Sequence, residues 1–179
     1  MFSDGLFLER NQIASVGLPV DLSVASGSVV TGDWINVSYC HRFAVLFHKN
    51  IGTAGDDPTL TIQQATDSAG TGAKALNFTK IYRRETATAG GLKTAAGLGQ
   101  WTITTQTAAN TYTNLTSAES ELMWVVDFQD AMLDVDGGFK FVNATVADVG
   151  TNAQLGGVLM FLYDIRDATV ASSMADVRS

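Results

Sequence analysis

The sequence has few of the residues on which disulfide bonding, metal binding and nucleophilic catalysis usually depend. Its 179 residues include one cysteine, two histidines and two prolines. With Cys40 alone, no intrachain disulfide can form and no zinc site can be built from thiolates. Cys40 is therefore expected to be a small buried hydrophobic residue.

Charged side chains are also scarce. They make up 16% of the chain, against about 25% in an average globular protein. The 11 basic and 18 acidic side chains give a net charge of -7. Binding along a phosphate backbone needs dense Lys and Arg, so we expect no direct contact with nucleic acid. A surface rich in Thr, Ser, Gly, Asn and Gln is instead suited to contacts with other proteins.

Long apolar runs are absent too. The longest strongly apolar run, Val158 to Tyr163, is far shorter than the roughly 20 residues that a helix needs to cross a bilayer. Near the N-terminus there is an acidic residue, Asp4, and no basic stretch followed by a long apolar one. The sequence therefore predicts a soluble protein with no signal peptide and no membrane contact.

From residue 34 onward the chain contains short β-rich segments separated by Gly, Asn and Asp. They predict about eight strands, at residues 34–40, 43–47, 59–63, 76–82, 100–105, 121–128, 139–146 and 157–165. The continuous apolar segment Phe43 to Phe47 is typical of a strand buried on both faces. Segments 59–63 and 76–82 are predicted to pair with each other. The pattern indicates an all-β fold, an antiparallel β-sandwich or jelly-roll-like single domain.

The predicted domain covers residues 21–179, and residues 1–20 are predicted to form an extended N-terminal arm. Because Leu6, Phe7, Leu8 and Ile13 are too apolar for a free tail, we expect the arm to order against a neighbouring subunit. Residues 87–99 are rich in Gly, Ala and Thr and predict a long loop. Short helical turns are predicted at 148–155 and 164–174.

No arrangement in the sequence identifies a catalytic residue, and we do not expect an enzyme. His41 and His48 lie an odd number of residues apart, so in an extended segment they point to opposite faces and cannot share a ligand. The segment Gly52 to Pro58 lacks the Gly-Lys-Ser/Thr ending of a phosphate-binding loop. It is predicted to be a turn.

The acidic segment from Asp127 to Gly138 resembles a calcium loop only superficially. Asp130, Asp134 and Asp136 precede a glycine pair, but the position that should hold a bidentate Glu holds Asn143. A tight Asp-Gly-Gly turn between two strands explains the segment better, so no metal and no cofactor is expected. A sugar-binding β-sandwich remains an alternative, for which Trp101 beside the turn at 130–136 is the candidate pair.

Four blocks, at residues 48–60, 74–78, 133–139 and 147–157, resemble a group of small structural proteins encoded by tailed bacteriophages and prophages. The resemblance spans roughly residues 34–166. It implies a capsid decoration, or cement, protein on the outer capsid surface of the virion, made in the bacterial host cytoplasm. Such proteins have no active site to carry over. A tail or head-completion subunit shares most of these traits and is the alternative.

The resemblance also implies partners, namely the major capsid protein and copies of the chain itself, usually as a homotrimer. The composition agrees, because the chain has more apolar strand sequence than one small sandwich easily buries. Closed, symmetric homo-oligomers are the usual way to cover such a surplus. We therefore expect a symmetric homo-oligomer, most simply a trimer.

Overall fold

The computed structural model describes residues 7–23, 30–87, 91–93, 101–115, 120–147 and 149–166. Its regular elements are one helical turn, α1 (Phe7–Arg10), and eleven strands. The strands are β1 (Gln12–Asp21), β2 (Ile35–Asn36), β3 (Cys40–Lys49), β4 (Thr59–Ala65), β5 (Lys74–Ala75), β6 (Phe78–Thr86), β7 (Thr102–Ala109), β8 (Thr111–Thr113), β9 (Glu121–Gln129), β10 (Phe141–Val146) and β11 (Leu155–Ile165). Short 3-10 turns lie at Gly91–Lys93 and Asp130–Met132. None of the helical segments described is long and apolar enough to cross a membrane.

The strands form two antiparallel sheets. The larger has six strands in the order β1-β11-β3-β9-β6-β7, and the smaller has five, with β2-β10-β4-β5 in order and β8 beside β4. All pairings between these strands are antiparallel. The predicted fold class, an all-β antiparallel sandwich in a single domain, is confirmed.

Aromatic side chains of β3 and β9 fill the space between the sheets. Phe43 stacks on Phe128 with ring centroids 5.1 Å apart, and Phe47 meets Trp124 edge-on at 5.5 Å. These four side chains are fully buried. They lie at alternate positions of their strands because successive residues of a strand point to opposite faces. Each such pair adds roughly 0.5–1.5 kcal/mol beyond the burial of its area.

The predicted arm at residues 1–20 is wrong for residues 12–20, which belong to β1. This strand pairs with β11 from Gln12, opposite Leu162, to Asp21, opposite Leu155, so it is an edge strand of the chain's own sheet. Register shifts flank Gly17, and the strand contains Pro19, which an edge strand tolerates. Residues 7–10 form α1, and residues 1–6 of the predicted arm lie outside the described residues.

Two further predictions about the strands are wrong. Strands β4 and β6 do not pair, because they belong to different sheets; β4 instead pairs with β5, β8 and β10. The described residues form eleven strands rather than about eight, because β5 and β8 are only two or three residues long and β1 lies in the segment that is predicted to be an arm.

The predicted loop and helical turns fall partly outside the described residues. In the loop at 87–99, the structure describes residue 87 and the 3-10 turn Gly91–Lys93. The helical turn predicted at 148–155 is wrong for residues 149–155, which hold a bridge residue, Val149, and the start of β11. Strand β11 continues to Ile165, so residues 164–165 of the second predicted turn belong to a strand, in which Asp164 has a left-handed φ of 54°. Residues 167–174 are not described.

Candidate functional site

The outer side of the six-stranded sheet, which faces away from the core, has a mostly apolar central row between charged residues that include Lys80, Arg84 and Asp127. We call it the apolar face. Its central row crosses all six strands in register, because each neighbouring pair is directly opposite in the strand ladders. The row consists of Ser15, Leu159, Leu46, Val125, Tyr82 and Ile103. An antiparallel sheet with one face in solvent normally alternates apolar inside with polar outside, so this row is unusual.

More apolar residues flank the central row on both sides. Exposed side chains on this face include Ile13 at 46%, Trp101 at 42% and Ile103 at 56%. Beside the row, a cleft of about 250 Å³ is bordered by Gly17, Pro19, Leu46, His48, Met123, Gly157, Val158 and Leu159. Contiguous apolar surface of this kind marks sites that bind proteins or other apolar partners.

A polar network borders the apolar face where β3, β9 and β11 lie side by side. Arg42 Nη2 donates to Asp127 Oδ2 at 2.8 Å, and the Tyr163 hydroxyl donates to the other oxygen of the same carboxylate. The guanidinium also lies over the Tyr163 ring, 5.1 Å from its centroid. The negative charge of Asp127 raises the pKa of Arg42. Burial, together with the bond to Asp127, raises the pKa of Tyr163, so Arg42 and Tyr163 both stay protonated over the physiological pH range.

The outer side of the five-stranded sheet is polar, and we call it the threonine face. Thr61 lies opposite Thr145 on one side and Thr111 on the other, and Gln63 lies opposite Asn143. Asn143 is buried, and its side-chain amide donates to the carbonyl of Gly32 at 2.6 Å. This face follows the usual alternation for a sheet exposed to water.

A partly buried polar cluster links the two sheets. The Glu85 carboxylate of β6 accepts hydrogen bonds from Arg83, from Trp124 Nε1 at 2.7 Å and from Asn114, which follows β8. Burial raises the pKa of Glu85, but the hydrogen bonds from Arg83 and Trp124 outweigh it, so the pKa is lowered overall. The ionised carboxylate is therefore the form that the folded protein favours.

The fold does not bring together the residues that could have served in catalysis or metal binding, namely the two histidines and the cysteine. His48 borders the cleft on the apolar face, whereas His41 lies at the other end of β3, where its ring contacts Asp130. Cys40 is buried, as predicted, and burial raises the pKa of its thiol to about 12. Such a thiol is unreactive at neutral pH.

The acidic turn connects β9 of one sheet to β10 of the other. Asp134 is bonded to Lys74 and to the amide of Gly137, and these bonds lower its pKa. Asp130 contacts His41 and Arg166. The carboxylates thus face cations of the chain, and the described residues contain no group of three or more His, Cys, Asp or Glu side chains arranged to hold a metal ion.

Trp101 and the acidic turn, the pair considered for sugar binding, lie at opposite ends of the sheet. The ladders place Thr102 level with Trp124, because both are opposite Arg83. Asp130 lies six residues further along the chain than Trp124, which corresponds to roughly 20 Å of strand. No joint binding site can form from them.

Comparison with known proteins gives little further information. No family model matches the chain, and no curated protein matches it. One solved structure that matches is that of SPBc2 prophage-derived protein YomS, at 15% identity and a TM-score of 0.42, covering 84% of this chain and 92% of that one. A likeness of this size does not by itself establish a shared function.

The apolar face was not identified from the sequence, although a signal for it was present. Strand β11 is apolar on most positions of both sides, and β3 and β9 carry Leu46 and Val125 on their outer side. The sequence predicts no helix long enough to cover a second face.

Proposed function

We propose that this chain is a non-enzymatic structural subunit of a tailed-phage virion. More specifically, we propose a capsid decoration protein whose apolar face lies against the major capsid protein on the outside of the head. The observation that carries the proposal is the apolar row from Ser15 to Ile103, which crosses all six strands of the larger sheet.

The dimensions of the apolar face fit a protein interface. Six strands spaced about 4.8 Å apart, with rows of side chains along roughly 20 Å of strand, give roughly 500 Å² in projection. Side-chain relief makes the accessible area larger than the projection. One partner contributes about 800 Å² of accessible surface to an interface of standard size. The outer side of the sheet is therefore of the same order of size as one partner's share of a standard interface.

The contrast between the two outer faces supports a subunit that lies on a protein surface. Threonine and glutamine lie on the face that would be turned to water, and the mostly apolar row lies on the face that would be turned to the shell. The net charge of -7 disfavours a position against packaged DNA. The resemblance of four sequence blocks to small tailed-phage structural proteins supports the same assignment.

We further propose that the subunit acts as a symmetric homo-oligomer, with a trimer as the form that the resemblance implies. A trimer placed where capsomers meet would contact the shell three times, so weak single contacts would be multiplied by avidity. The alternative is a tail or head-completion subunit. Such a subunit would differ in its location in the virion and would use the same apolar face against a different neighbour.

The test is rebinding to phage particles from which this protein has been stripped. The purified chain should rebind the heads of such particles, and antibody labelling should decorate the head surface. Labelling confined to the tail would overturn the decoration role in favour of a tail subunit. A stable monomer without affinity for any part of the particle would overturn the structural role altogether.

A further inference from the structure

A pocket opens on the outer side of the six-stranded sheet, where strands β6 and β9 separate. The ladder between these strands ends at the pair Tyr82 and Val125, although both strands continue beyond it. Past this pair, their described residues are not paired with each other. The space between them is a pocket of about 330 Å³, bordered by residues 78–80 of β6, residues 127–129 of β9 and Arg42 of β3.

Strand β6 is irregular at this pocket. Its ladder with β7 shifts register between Phe78 and Lys80. Phe78 and Ile81 are buried, whereas Thr79 and Lys80 between them are both exposed, so the alternation of a regular strand is interrupted. Irregularities of this kind re-aim side chains and are frequent beside functional sites. Here they turn two successive polar side chains toward the same pocket.

The pocket carries more positive than negative charge, in a chain whose net charge is -7. Its lining includes two cations, Arg42 and Lys80, and one carboxylate, Asp127. Both oxygens of Asp127 already accept hydrogen bonds, one from Arg42 and the other from Tyr163. None of the ion pairs among the described residues involves Lys80. The lining therefore includes a positive charge that the described part of the chain does not neutralise.

Three side chains bring hydrogen-bond donors to the pocket. Lys80 contributes an ammonium group, Gln129 an amide and Thr79 a hydroxyl. A carboxylate accepts hydrogen bonds and donates none, so it matches this set of donors. Its bond to the ammonium would be charge-assisted, which makes such bonds roughly twice as strong as neutral ones. A cation would instead be repelled by the charge of Lys80.

We propose that this pocket binds a carboxylate, supplied by an Asp or Glu side chain of the protein against which the apolar face lies. Lys80 and Asp127 each lie two residues from a member of the apolar row, Tyr82 and Val125 respectively. A partner that covers the row therefore reaches the pocket with the same surface. The inference deepens the proposed function and rests on it only for the source of the carboxylate.

The size of the pocket agrees with a side chain as the occupant. A volume of about 330 Å³ is near the lower end of the roughly 300–1,000 Å³ of small-molecule sites. A charged contact beside an apolar centre follows the usual layout of protein interfaces, in which the polar groups lie at the rim. Such contacts fix the orientation of the partner and exclude partners of the wrong charge.

The first test compares two lysine substitutions that change the net charge equally. Lys80→Gln should weaken rebinding to stripped particles about tenfold at low salt, because a charge-assisted hydrogen bond is lost. The loss should shrink at high salt, which screens the charge of the unmodified protein. Lys140→Gln is the matched control. Lys140 is exposed just before β10 of the smaller sheet, and its substitution should change rebinding less than about twofold. Melting temperatures of both variants check folding.

The second test examines the pocket of the isolated protein, by nuclear magnetic resonance during titration with sodium acetate. Acetate should shift the amide resonances of residues 79–80 and 127–129, and Lys80→Gln should abolish these shifts. Sodium chloride at the same ionic strength should leave the resonances unchanged, because a carboxylate and not ionic strength is what the donors recognise.

The two tests separate the pocket from its partner. Equal shifts with acetate and with chloride would overturn the carboxylate site. If acetate binds but Lys80→Gln and Lys140→Gln rebind particles equally well, the assignment of the carboxylate to the partner is wrong. If the unmodified protein binds acetate in the pocket but binds no part of the particle, the proposed function fails while the carboxylate site is supported.

Discussion

The two outer faces of this sandwich differ in chemistry as well as in size, because the strands of the larger sheet are longer than those of the smaller one. Across the larger sheet, neighbouring strands bring Leu159, Leu46 and Val125 together, whereas the corresponding row of the smaller sheet is Thr145, Thr61 and Thr111. Both sheets contribute apolar side chains to one shared core. Folding alone accounts for the inner faces and for the threonine face, and the proposed contact with another protein would account for the apolar one.

The strongest way to break this comparison is to place a charge in the centre of the apolar face. Leu46→Asp should weaken rebinding to stripped particles by about 3 kcal/mol, or more than about 100-fold, because it buries an unpaired carboxylate in the interface. Thr61→Asp, at the centre of the threonine face, is the matched control and should change binding less than about twofold. Titration of stripped particles with each folded variant measures both. Equal losses would show that the two faces do not differ in function.

The next largest effect concerns the cluster that links the two sheets. Glu85→Gln should lower the free energy of unfolding at pH 7 by about 2 kcal/mol, because Arg83 loses its charged partner. The pKa of Glu85 is lowered in the folded state, so its stabilising contribution is present above its ordinary pKa of 4.5 and is lost as the pH falls below that value. Urea denaturation at pH 7 and pH 3 should show the difference shrinking in acid.

Asp136→Asn is the control for Glu85→Gln. Asp136 is exposed in the acidic turn, away from the cluster, so its substitution should leave the free energy of unfolding unchanged at both pH values. A difference between Glu85→Gln and the unmodified protein that grows in acid would contradict the sign derived for Glu85.

A smaller effect is expected from exchanging the chemistry of the faces without adding charge. Leu159→Thr makes the apolar face more polar, and Thr61→Val makes the threonine face more apolar. Each should change stability by less than about 0.5 kcal/mol, because partly exposed strand positions tolerate β-branched residues. Binding of an apolar fluorescent dye should fall for the first variant and rise for the second. No change in either would argue that the apolar face is not accessible.

The smallest effect is expected at the acidic turn that connects the two sheets. A chelator should change the melting temperature by less than about 1 °C, because Asp130 and Asp134 are already matched by His41, Arg166 and Lys74. Calorimetry with and without a chelator measures this. A fall of several degrees would restore a calcium site at Asp130, Asp134 and Asp136.

Much of the sandwich could be predicted from the sequence, because strand formation depends on local composition. The alternation of Leu60 and Ile62 with threonine located β4, and the apolar run at Phe43 to Phe47 located β3. Pairing was harder to predict, because β4 pairs with β10, far along the chain, and with the two short strands β5 and β8. Strand β1 was missed because Gly17 and Pro19 normally interrupt strands, and only its edge position tolerates them.

The candidate site was harder to predict than the fold. The row on the apolar face joins residues from six segments of the chain, and their alignment is set by ladder register rather than by sequence spacing. Strands with apolar residues on both sides indicated that the chain has more apolar surface than its core buries. They did not indicate on which side of which sheet that surface lies.

The pairing of the first strand with the last has a consequence for synthesis on the ribosome. Gln12 lies opposite Leu162, about 150 residues later in the chain, so β1 cannot dock until β11 has been made. At roughly 5–20 residues per second, β1 waits about 8–30 s as an extended apolar segment. Pro19 and the register shifts beside Gly17 make β1 a poor partner for further strands in the folded protein. For the same reason, they would limit aggregation of β1 with other nascent chains before β11 is made.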